Sequence, residues 1–180
     1  VRIYSAAAVD PSFDARFSAL GRSYAYRVSD RPEPLGRWDR LWVEESLDEA
    51  AMNEAGAGLL GEHDFLGFCR PREGATTIRT LRTLSAERAS DGTFVFRVEA
   101  DAFCHSMVRS LVGALLLVGS GARDTDYPTQ ILRARSRSEA APIAPAHGLT
   151  LEDVEYPDPS QWGARAEQAR ARRDACCGDD

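Results

Sequence analysis

Arg109 places a charge inside an apolar stretch of the sequence. It follows Val108 and precedes Leu111 in a segment whose other residues predict a buried helix. A partly buried guanidinium needs a partner, because an unpaired charge away from water is costly. Arg109 is therefore a candidate site residue, and the alternatives are a structural salt bridge or a surface position.

The other basic residues are suited to binding phosphates. All 22 basic residues are Arg and none is Lys. A guanidinium is a planar fork that fits phosphate oxygens and can stack on bases. The net charge of −6 argues mildly against nucleic acid unless a basic face forms locally. Phosphate contacts are predicted, with solvated surface positions as the alternative, for Arg16, Arg22, Arg79 and Arg82. On a strand, Arg79 and Arg82 would point to opposite faces, so only one of them could face such a ligand.

The histidines and cysteines show no spacing that suits a metal, and no metal is predicted. His105 lies four residues before Arg109, so the two would share a face of a helix. A hydrogen-bonded structural role is the alternative for His105, and His63 and His147 are predicted in a loop and a turn. The four cysteines form no C-x-x-C pair and are expected to be reduced thiols.

Two periodicities predict the elements that position these side chains. Alternation predicts strands at 23–28, 76–88, 93–101 and 149–156, with a hairpin turn at 90–92. Helical spacing predicts helices at 47–59, 102–119 and 127–135. Ser46 and Glu49 predict a capping box for the first helix. Loops are predicted at 30–36, 70–75 and 140–145.

These elements predict one domain followed by a tail. Strands without regular alternation with helices favour an α+β fold, with a mixed, mostly antiparallel sheet and helices packed on one face. The domain is expected to cover residues 1–157. Residues 158–180 are expected to form a charged tail rich in Ala and Arg, either an exposed helix or a frayed end. The arginine run at 165–173 is interpreted as a solvated tail, with a binding patch as the alternative. No apolar run approaches the roughly 20 residues needed to cross a bilayer, and nothing suggests secretion.

Six short segments keep a common order along the chain. They are Phe-Asp-Ala-Arg-Phe-Ser-Ala at 13–19, Arg-Ser-Tyr-Ala-Tyr at 22–26, Gly-Glu-His-Asp-Phe at 61–65, Ile-Arg-Thr-Leu at 78–81, Asp-Ala-Phe-Cys-His-Ser-Met-Val-Arg at 101–109 and Ala-Pro-Ala-His-Gly-Leu at 144–149. Together they resemble the bacterial TruA-type tRNA pseudouridine synthase family, in its actinobacterial form. Any one of them is weak, but six in register are specific.

The resemblance implies an enzyme that isomerises uridine to pseudouridine in the anticodon stem-loop of tRNA, at positions 38 to 40, without metal or organic cofactor. It also implies a pseudouridine synthase fold, a homodimer and a cytoplasmic location. The reaction breaks the bond between ribose and the uracil nitrogen, turns the base and rejoins it through carbon, with a carboxylate as nucleophile. The target base must first leave its stack and enter a pocket.

Residue roles follow from the same resemblance. Tyr24 matches the family's active-site tyrosine, whose ring would stack on the extruded uracil and whose hydroxyl could take part in proton removal. Arg109 matches the active-site arginine, which would orient the carboxylate and lower its pKa. The RNA would be contacted by Arg16, Arg22, Arg79 and His105. Without the resemblance, Tyr24 would be an ordinary strand aromatic.

The family's nucleophile has no counterpart in this sequence. The family carries it in an Arg-Thr-Asp-Ala-Gly-type motif upstream of Phe-Asp-Ala-Arg-Phe, and no such motif is present. Asp126 is followed by Tyr-Pro, so it is a poor substitute. The simplest expectation is the C-terminal half of a synthase, truncated before its nucleophile and inactive in isolation. The alternatives are an RNA-binding module that has lost its nucleophile and a dimerisation domain with no RNA role; a metal-dependent hydrolase fits poorly.

Overall fold

A computed structural model describes residues 2–70, 76–136 and 141–174 of the chain. Within these residues, the strands are β1 (Gly21–Ser29), β2 (Leu41–Trp42), β3 (Gly61–Asp64), β4 (Ile78–Arg88), β5 (Phe94–Ala100) and β6 (Leu149–Glu155). The α-helices are α1 (Glu49–Ala57), α2 (Met107–Gly119), α3 (Tyr127–Ala134) and α4 (Trp162–Asp174). None of these helices has both the length and the apolar character needed to cross a membrane.

The strands form one mixed, mostly antiparallel sheet, which confirms the predicted α+β fold. The strand order is β2-β1-β5-β4-β3, and β6 also pairs with β1. The parallel pair joins the end of β1 to β2 at Val28 and Ser29, while β6 pairs with the first part of β1. Strand β1 therefore has neighbours on both sides along its length.

One face of this sheet carries the hydrophobic core. Tyr26 and Val28 of β1 lie opposite Phe96 and Phe94 of β5, and all four side chains are fully buried. Helix α1 packs against β4 and α2. Helix α2 is buried on nearly every side and joins the same core through residues such as Leu111. A helix this apolar all round is typical of a central core helix.

The strand and turn predictions are largely confirmed. Strands β1, β4, β5 and β6 fall where alternation predicts them, and the hairpin turn between β4 and β5 has Gly92 at a φ of 88°. Glycine adopts this left-handed conformation without the steric cost other residues incur. The predicted loops at 70–75 and 140–145 lie partly outside the described residues.

Helix α1 begins later than the capping-box pattern predicts. Its N-cap is Asp48, whose carboxylate accepts a hydrogen bond from the backbone N–H of Ala51. The prediction of a Ser46–Glu49 box is therefore wrong. The Glu49 carboxylate accepts a hydrogen bond from the backbone N–H of Arg88 instead, a tertiary partner that local sequence does not reveal.

Helix α2 also begins later than its apolar stripe predicts. Ser106 has a left-handed backbone with a φ of 68°, and the helix starts at Met107. Phe103 therefore lies in the turn after β5 and not in the helix, so its predicted helical placement is wrong. The physical reason is Asp101, whose carboxylate accepts the backbone N–H of Ala102. Such local side-chain bonds compete with helix formation.

The late start of α2 changes the histidine predictions. His105 lies in the same turn, so the prediction that it shares a helical face with Arg109 is wrong. His63 lies on β3 and pairs with Arg79 of β4, so its predicted loop placement is also wrong. His147 occupies a short 3₁₀ turn at Ala146–Gly148, in agreement with the sequence.

Cys69 and Cys104 lie side by side, with their Cα atoms 5.7 Å apart. This separation is one that a disulfide can bridge, and the prediction of reduced thiols stays a prediction. The two residues are separated by 35 positions, and the turn before α2 brings Cys104 back to Cys69. Sequence spacing alone contains no sign of this contact. Cys176 and Cys177 lie outside the described residues.

A loop approaches α2 closely at Gly113, and this contact predicts that substituting Gly113 strongly lowers the stability of the fold. A Cβ atom on Gly113 would lie 1.8 Å from the backbone oxygen of Pro142, and a backbone atom cannot move aside as a side chain can. Gly113→Ala should therefore lower the free energy of unfolding by about 3 kcal/mol, although alanine ordinarily favours a helix. Urea denaturation monitored by circular dichroism measures the change.

Gly58→Ala is the matched control. A Cβ there would clash with the Thr129 hydroxyl at 2.7 Å, which can rotate away, and would make an ordinary contact with the backbone oxygen of Ala55 at 3.9 Å. The backbone φ of −68° also suits alanine, so stability should change by less than about 1 kcal/mol. Equal effects of the two substitutions would contradict the packing seen at Gly113.

The ion pair of Asp30 with Arg88 predicts a stability that depends on pH. Arg88 donates two hydrogen bonds to the buried Asp30 carboxylate, at 3.0 and 2.7 Å. These bonds lower the pKa of Asp30 against the opposing effect of burial. Asp30→Asn should therefore destabilise the fold by about 2 kcal/mol near neutral pH.

The sign of the pH effect follows from the lowered pKa. The contribution of Asp30 is present above its unfolded pKa of about 3.9 and is lost as pH falls through the lower folded value. The stability difference between parent and Asp30→Asn should thus shrink below about pH 4, as followed by urea denaturation across pH. Asp39→Asn, at an exposed carboxylate beside Arg40, should have little effect at any pH. A constant Asp30→Asn difference would contradict the ion-pair explanation.

Candidate functional site

A cavity of about 460 Å³ opens where the core-facing rows of the sheet end. Strands β1 and β4 both begin at this end of the sheet, and β5 ends there. Along β1 the core-facing row runs from Val28 through Tyr26 and Tyr24 to Arg22. The row on β4 similarly ends in Arg79. The cavity is thus the place where the apolar core gives way to aromatic and charged side chains.

Tyr24 is half-buried in the wall of this cavity. Its ring meets the ring of Phe103 edge-on, with centroids 5.2 Å apart. Phe103 reaches this position because the turn after β5 has not yet become helix. Two aromatic rings at right angles leave ring faces available to a planar group, as in sites that stack nucleic-acid bases.

Arg22 holds two parts of the cavity wall together. Its guanidinium donates hydrogen bonds to the backbone oxygens of Asp101, at 3.1 Å, and Arg16, at 2.6 Å. The Asp101 carboxylate is itself engaged by the backbone N–H groups of Thr80, at 2.9 Å, and Ala102, at 2.7 Å. These bonds fix the turn that carries Phe103 against the starts of β1 and β4.

Arg79 lies on the core face of β4 and is buried in the cavity wall. Arg82 lies on the opposite face, paired with Glu155 at 2.8 Å and Glu99 at 3.4 Å. The hydrogen bond with Glu155 raises the pKa of Arg82 and so keeps it charged. The prediction that Arg79 and Arg82 face opposite ways is therefore confirmed, and it is Arg79 that faces the cavity.

The charge of the cavity is opposite in sign to that of the chain. It is lined by four arginines, Arg16, Arg22, Arg79 and Arg165, against two carboxylates, Glu62 and Asp101. The whole chain carries a net charge of −6. A cleft lined by positive charge focuses the electrostatic field and raises the local concentration of anionic ligands, even on an acidic protein. This is the basic face that nucleic-acid binding requires.

Sequence comparison identifies the family of this chain. Residues 55–157 match the family model described as tRNA pseudouridine synthase. This chain belongs to the tRNA pseudouridine synthase family. The match spans β3, β4, β5, α2 and β6, which include the turn bearing Phe103 and the position of Arg109.

Curated relatives named tRNA pseudouridine synthase A support this membership. The chain is 54% identical to the Frankia casuarinae protein over 96% of its own length and 64% of the relative. It is 50% identical to the Streptomyces avermitilis protein, covering 98% of this chain and 65% of the relative. It is 39% identical to the Corynebacterium glutamicum protein, covering 97% of this chain and 63% of the relative. The chain thus spans slightly less than two thirds of the length of these relatives.

Two of the predicted site residues of this family member lie outside the cavity wall. His105 is exposed, and its Nδ1 lies 3.4 Å from the Ser106 hydroxyl. Arg109 is half-buried on α2, where its Nε donates to the backbone oxygen of Ala144. Tyr24, Arg16, Arg22 and Arg79 do line the cavity. The structure therefore brings four of the six predicted residues together.

Arg109 lies beside Tyr26, one core-facing position along β1 from Tyr24. The charge of Arg109 lowers the pKa of the Tyr26 phenol, but burial has the larger effect and raises that pKa to about 12. The Tyr26 hydroxyl donates to the backbone oxygen of Pro145 at 2.6 Å. Among the described residues Arg109 forms no ion pair, so a half-buried cation next to the cavity has no acidic partner there.

Phe103 and Arg165 are among the cavity residues that the sequence does not predict as site residues. The sequence places Phe103 in a helix, because its spacing with Met107 fits the apolar stripe of α2. It places Arg165 in a solvated tail. The signal for its true position is the set Trp162, Ala166 and Ala169, whose helical spacing with Arg165 marks an inward-facing stripe.

Asp126, the one carboxylate considered as a substitute nucleophile, lies away from the cavity. Asp126 is exposed at the start of α3 and accepts a hydrogen bond from Gln130 at 2.6 Å; it is not part of the cavity wall. In the part of the chain that the structure describes, no three His, Cys, Asp or Glu side chains cluster in a way that could hold a metal ion.

The bonds of Arg22 predict that its main effect is on stability. Arg22→Ala removes two hydrogen bonds from a charged donor and should lower the free energy of unfolding by about 2 kcal/mol. Arg16→Ala is the matched control, since the exposed Arg16 guanidinium lies over the Phe17 ring at 5.5 Å. That contact contributes about 0.5–1 kcal/mol. Chemical denaturation of both variants measures this, and equal losses would contradict the structural role of Arg22.

Proposed function

We propose that this chain forms one wall of the active-site cleft of a tRNA pseudouridine synthase, which isomerises uridine in the anticodon arm of tRNA. The observation that supports this most strongly is the basic cavity at Tyr24, on a chain that is otherwise acidic. Its rim of arginines suits RNA phosphates, and its rings suit an extruded base. Relatives over nearly the whole chain bear the name tRNA pseudouridine synthase A.

In this mechanism the uracil leaves its stack and enters the cavity beside Tyr24 and Phe103. Extrusion costs a few kcal/mol of stacking, which contact with the rings and with the arginines offsets. The cavity volume of about 460 Å³ lies within the usual range of small-ligand sites. The family needs a carboxylate to attack the target nucleotide, because covalent catalysis divides the glycosidic exchange into two easier steps.

Arg109 is proposed to orient that carboxylate. A guanidinium without an acidic partner in the described residues would be satisfied by a carboxylate from the part of the synthase that this sequence does not contain. The ion pair would keep the nucleophile ionised by lowering its pKa. Inside the cavity, Asp101 is a weak candidate for the nucleophile, since its carboxylate already accepts two backbone hydrogen bonds.

A homodimer in the cytoplasm is part of the same proposal. Three large apolar side chains, Leu35, Trp38 and Trp42, are exposed within one short segment. Exposed apolar clusters of this kind often mark contact surfaces. A second copy of the chain is the occupant that the family resemblance favours.

A non-catalytic RNA-binding module is the second candidate, because the basic cavity would serve binding alone. Tritium release from 5-tritiated uridine in tRNA separates the two functions. The full product of the gene should release tritium, while this 180-residue chain should not. Release by the chain alone would assign the nucleophile to Glu62, Asp101 or Asp126. If neither protein released tritium but both still bound tRNA, the function would be that of a binding module.

Substitution of Tyr24 tests the stacking role in the active full product. Tyr24→Ala should reduce kcat/KM about tenfold to a hundredfold, because base–aromatic stacking contributes about 1–3 kcal/mol. Tyr24→Phe should remain within about threefold of the parent if the ring alone acts, whereas loss of a proton-transfer role would cost at least about a hundredfold. Tyr4→Ala, at an exposed tyrosine, is the matched control. Parental turnover by Tyr24→Ala would contradict the site.

Arg109→Ala should also abolish most turnover. The substitution should change kcat more than KM, because it would leave the nucleophile poorly oriented. The Arg97→Ala variant is its control, because Arg97 is exposed on the strand face opposite the core. The measurement is the same tritium release under saturating tRNA. An Arg109→Ala enzyme with parental kcat would show that the residue is structural.

A further inference from the structure

Helix α4 is docked on the segment that precedes β1. The Trp162 ring packs against Phe13, with centroids 4.7 Å apart, and its indole N–H donates to the backbone oxygen of Pro157 at 3.1 Å. The buried Ser18 hydroxyl donates to the backbone oxygen of Trp162 at 3.0 Å. Ala166 is buried as well. The segment expected to be a solvated tail is thus a packed part of the molecule.

A second anchor holds the middle of α4. Arg170 forms an ion pair with Asp14 at 2.8 Å, and its guanidinium lies over the Phe17 ring at 4.8 Å. Backbone hydrogen bonds from Phe17 and then Arg16 lower the pKa of Asp14 against the opposing effect of desolvation, and Arg170 lowers it further. The Asp14 carboxylate therefore stays charged for this contact near neutral pH. Two anchors on one segment define the orientation of the helix.

That orientation turns Arg165 toward the cavity. Arg165 and Ala169 both line it, and they lie one turn apart on the side of the helix that also carries Trp162 and Ala166. An apolar residue would be the usual choice at such an inward-facing position. The chain has an arginine there instead, on the same cavity as Tyr24.

The surroundings of Arg165 leave part of its hydrogen-bonding capacity unused. Its Nε is buried, and no acceptor for it is found among the residues that the structure describes. Its Nη1 lies 3.5 Å from the Gln168 side-chain oxygen, the long limit of a hydrogen bond. A buried donor without an acceptor is costly, so an incoming anionic group would find a guanidinium already positioned and in need of oxygen atoms.

On the basis of the synthase function proposed above, we propose that Arg165 is an RNA-binding residue, supplied by helix α4, that contacts a phosphate of the strand entering the cavity beside Tyr24. It acts together with Arg16, on the same rim. Arg22, by contrast, donates its hydrogen bonds to the protein's own backbone. Helix α4 is accordingly one wall of the substrate cleft and not a detached tail.

The test compares Arg165→Ala and Arg165→Gln with Arg97→Ala in tRNA binding by fluorescence anisotropy over a range of salt concentrations. Loss of one phosphate contact should weaken binding about tenfold at low salt and reduce the slope of log affinity against log salt by about one. Arg165→Gln keeps much of the side-chain packing but not the charge, and should behave like Arg165→Ala. Arg97→Ala should bind like the parent.

Three results would overturn the inference. They are parental affinity of Arg165→Ala, weaker binding with an unchanged salt slope, and parental behaviour of Arg165→Gln beside a weakened Arg165→Ala. The last two would show that Arg165 acts only through packing. Thermal unfolding followed by circular dichroism establishes that each variant is folded.

Turnover by the full product of the gene separates this inference from the proposed function. In an active enzyme, Arg165→Ala should raise KM about tenfold with little change in kcat, because the contact is made equally before and during the reaction. An active enzyme with unchanged KM would overturn the role of Arg165 and leave the synthase intact. An inactive parent would overturn the synthase, while the binding measurements would still decide whether Arg165 contacts RNA.

Discussion

The pairing of β1 with β5 is the constraint on which the site depends. Seven consecutive residue pairs, from Arg22 with Ala100 to Val28 with Phe94, keep one register. Side chains on a strand alternate between faces, so this register directs Val28, Tyr26, Tyr24 and Arg22 to the same face. A shift by one residue would turn Tyr24 away from the cavity and put Ala25 in its row.

The same row of side chains explains how a stable core and a polar cleft share one sheet. The fully buried Tyr26 satisfies its hydroxyl through the Pro145 carbonyl, as a buried phenol must. Two residues earlier, Tyr24 has left the core and faces the cavity with Phe103. The transition takes place within one strand, so the packing of Tyr26 in the core also fixes the position of Tyr24 in the cavity wall.

Electrostatics divide the arginines of this chain into two groups. Arg27, Arg40, Arg82 and Arg88 are tied to carboxylates at distances of 2.7–2.8 Å. These four arginines do not line the cavity, and each ion pair offsets the charge of its arginine. Among the residues that the structure describes, four arginines and two carboxylates line the cavity, and this local excess of positive charge favours anionic ligands.

Much of the fold follows from the sequence alone, because it depends on short-range patterns. Alternation specified β1, β4, β5 and β6, the Gly92 turn specified the hairpin, and the apolar run specified α2. The ordered motifs identified the family and singled out Tyr24. The spacing of Arg79 and Arg82 on a strand also predicted that they face opposite ways.

Only the tertiary structure decided features that depend on contacts between distant residues. The start of α2, and with it the positions of Phe103 and His105, depends on Asp101, whose carboxylate accepts the backbone N–H groups of Ala102 and of Thr80 on β4. The proximity of Cys69 to Cys104 depends on a turn that returns to a loop far behind it. The position of Arg165 in the cavity wall depends on the docking of α4 against Phe13 and Asp14, about 150 residues away along the chain. Local patterns carry no information on such distances, because it is the packing of the whole chain that sets them.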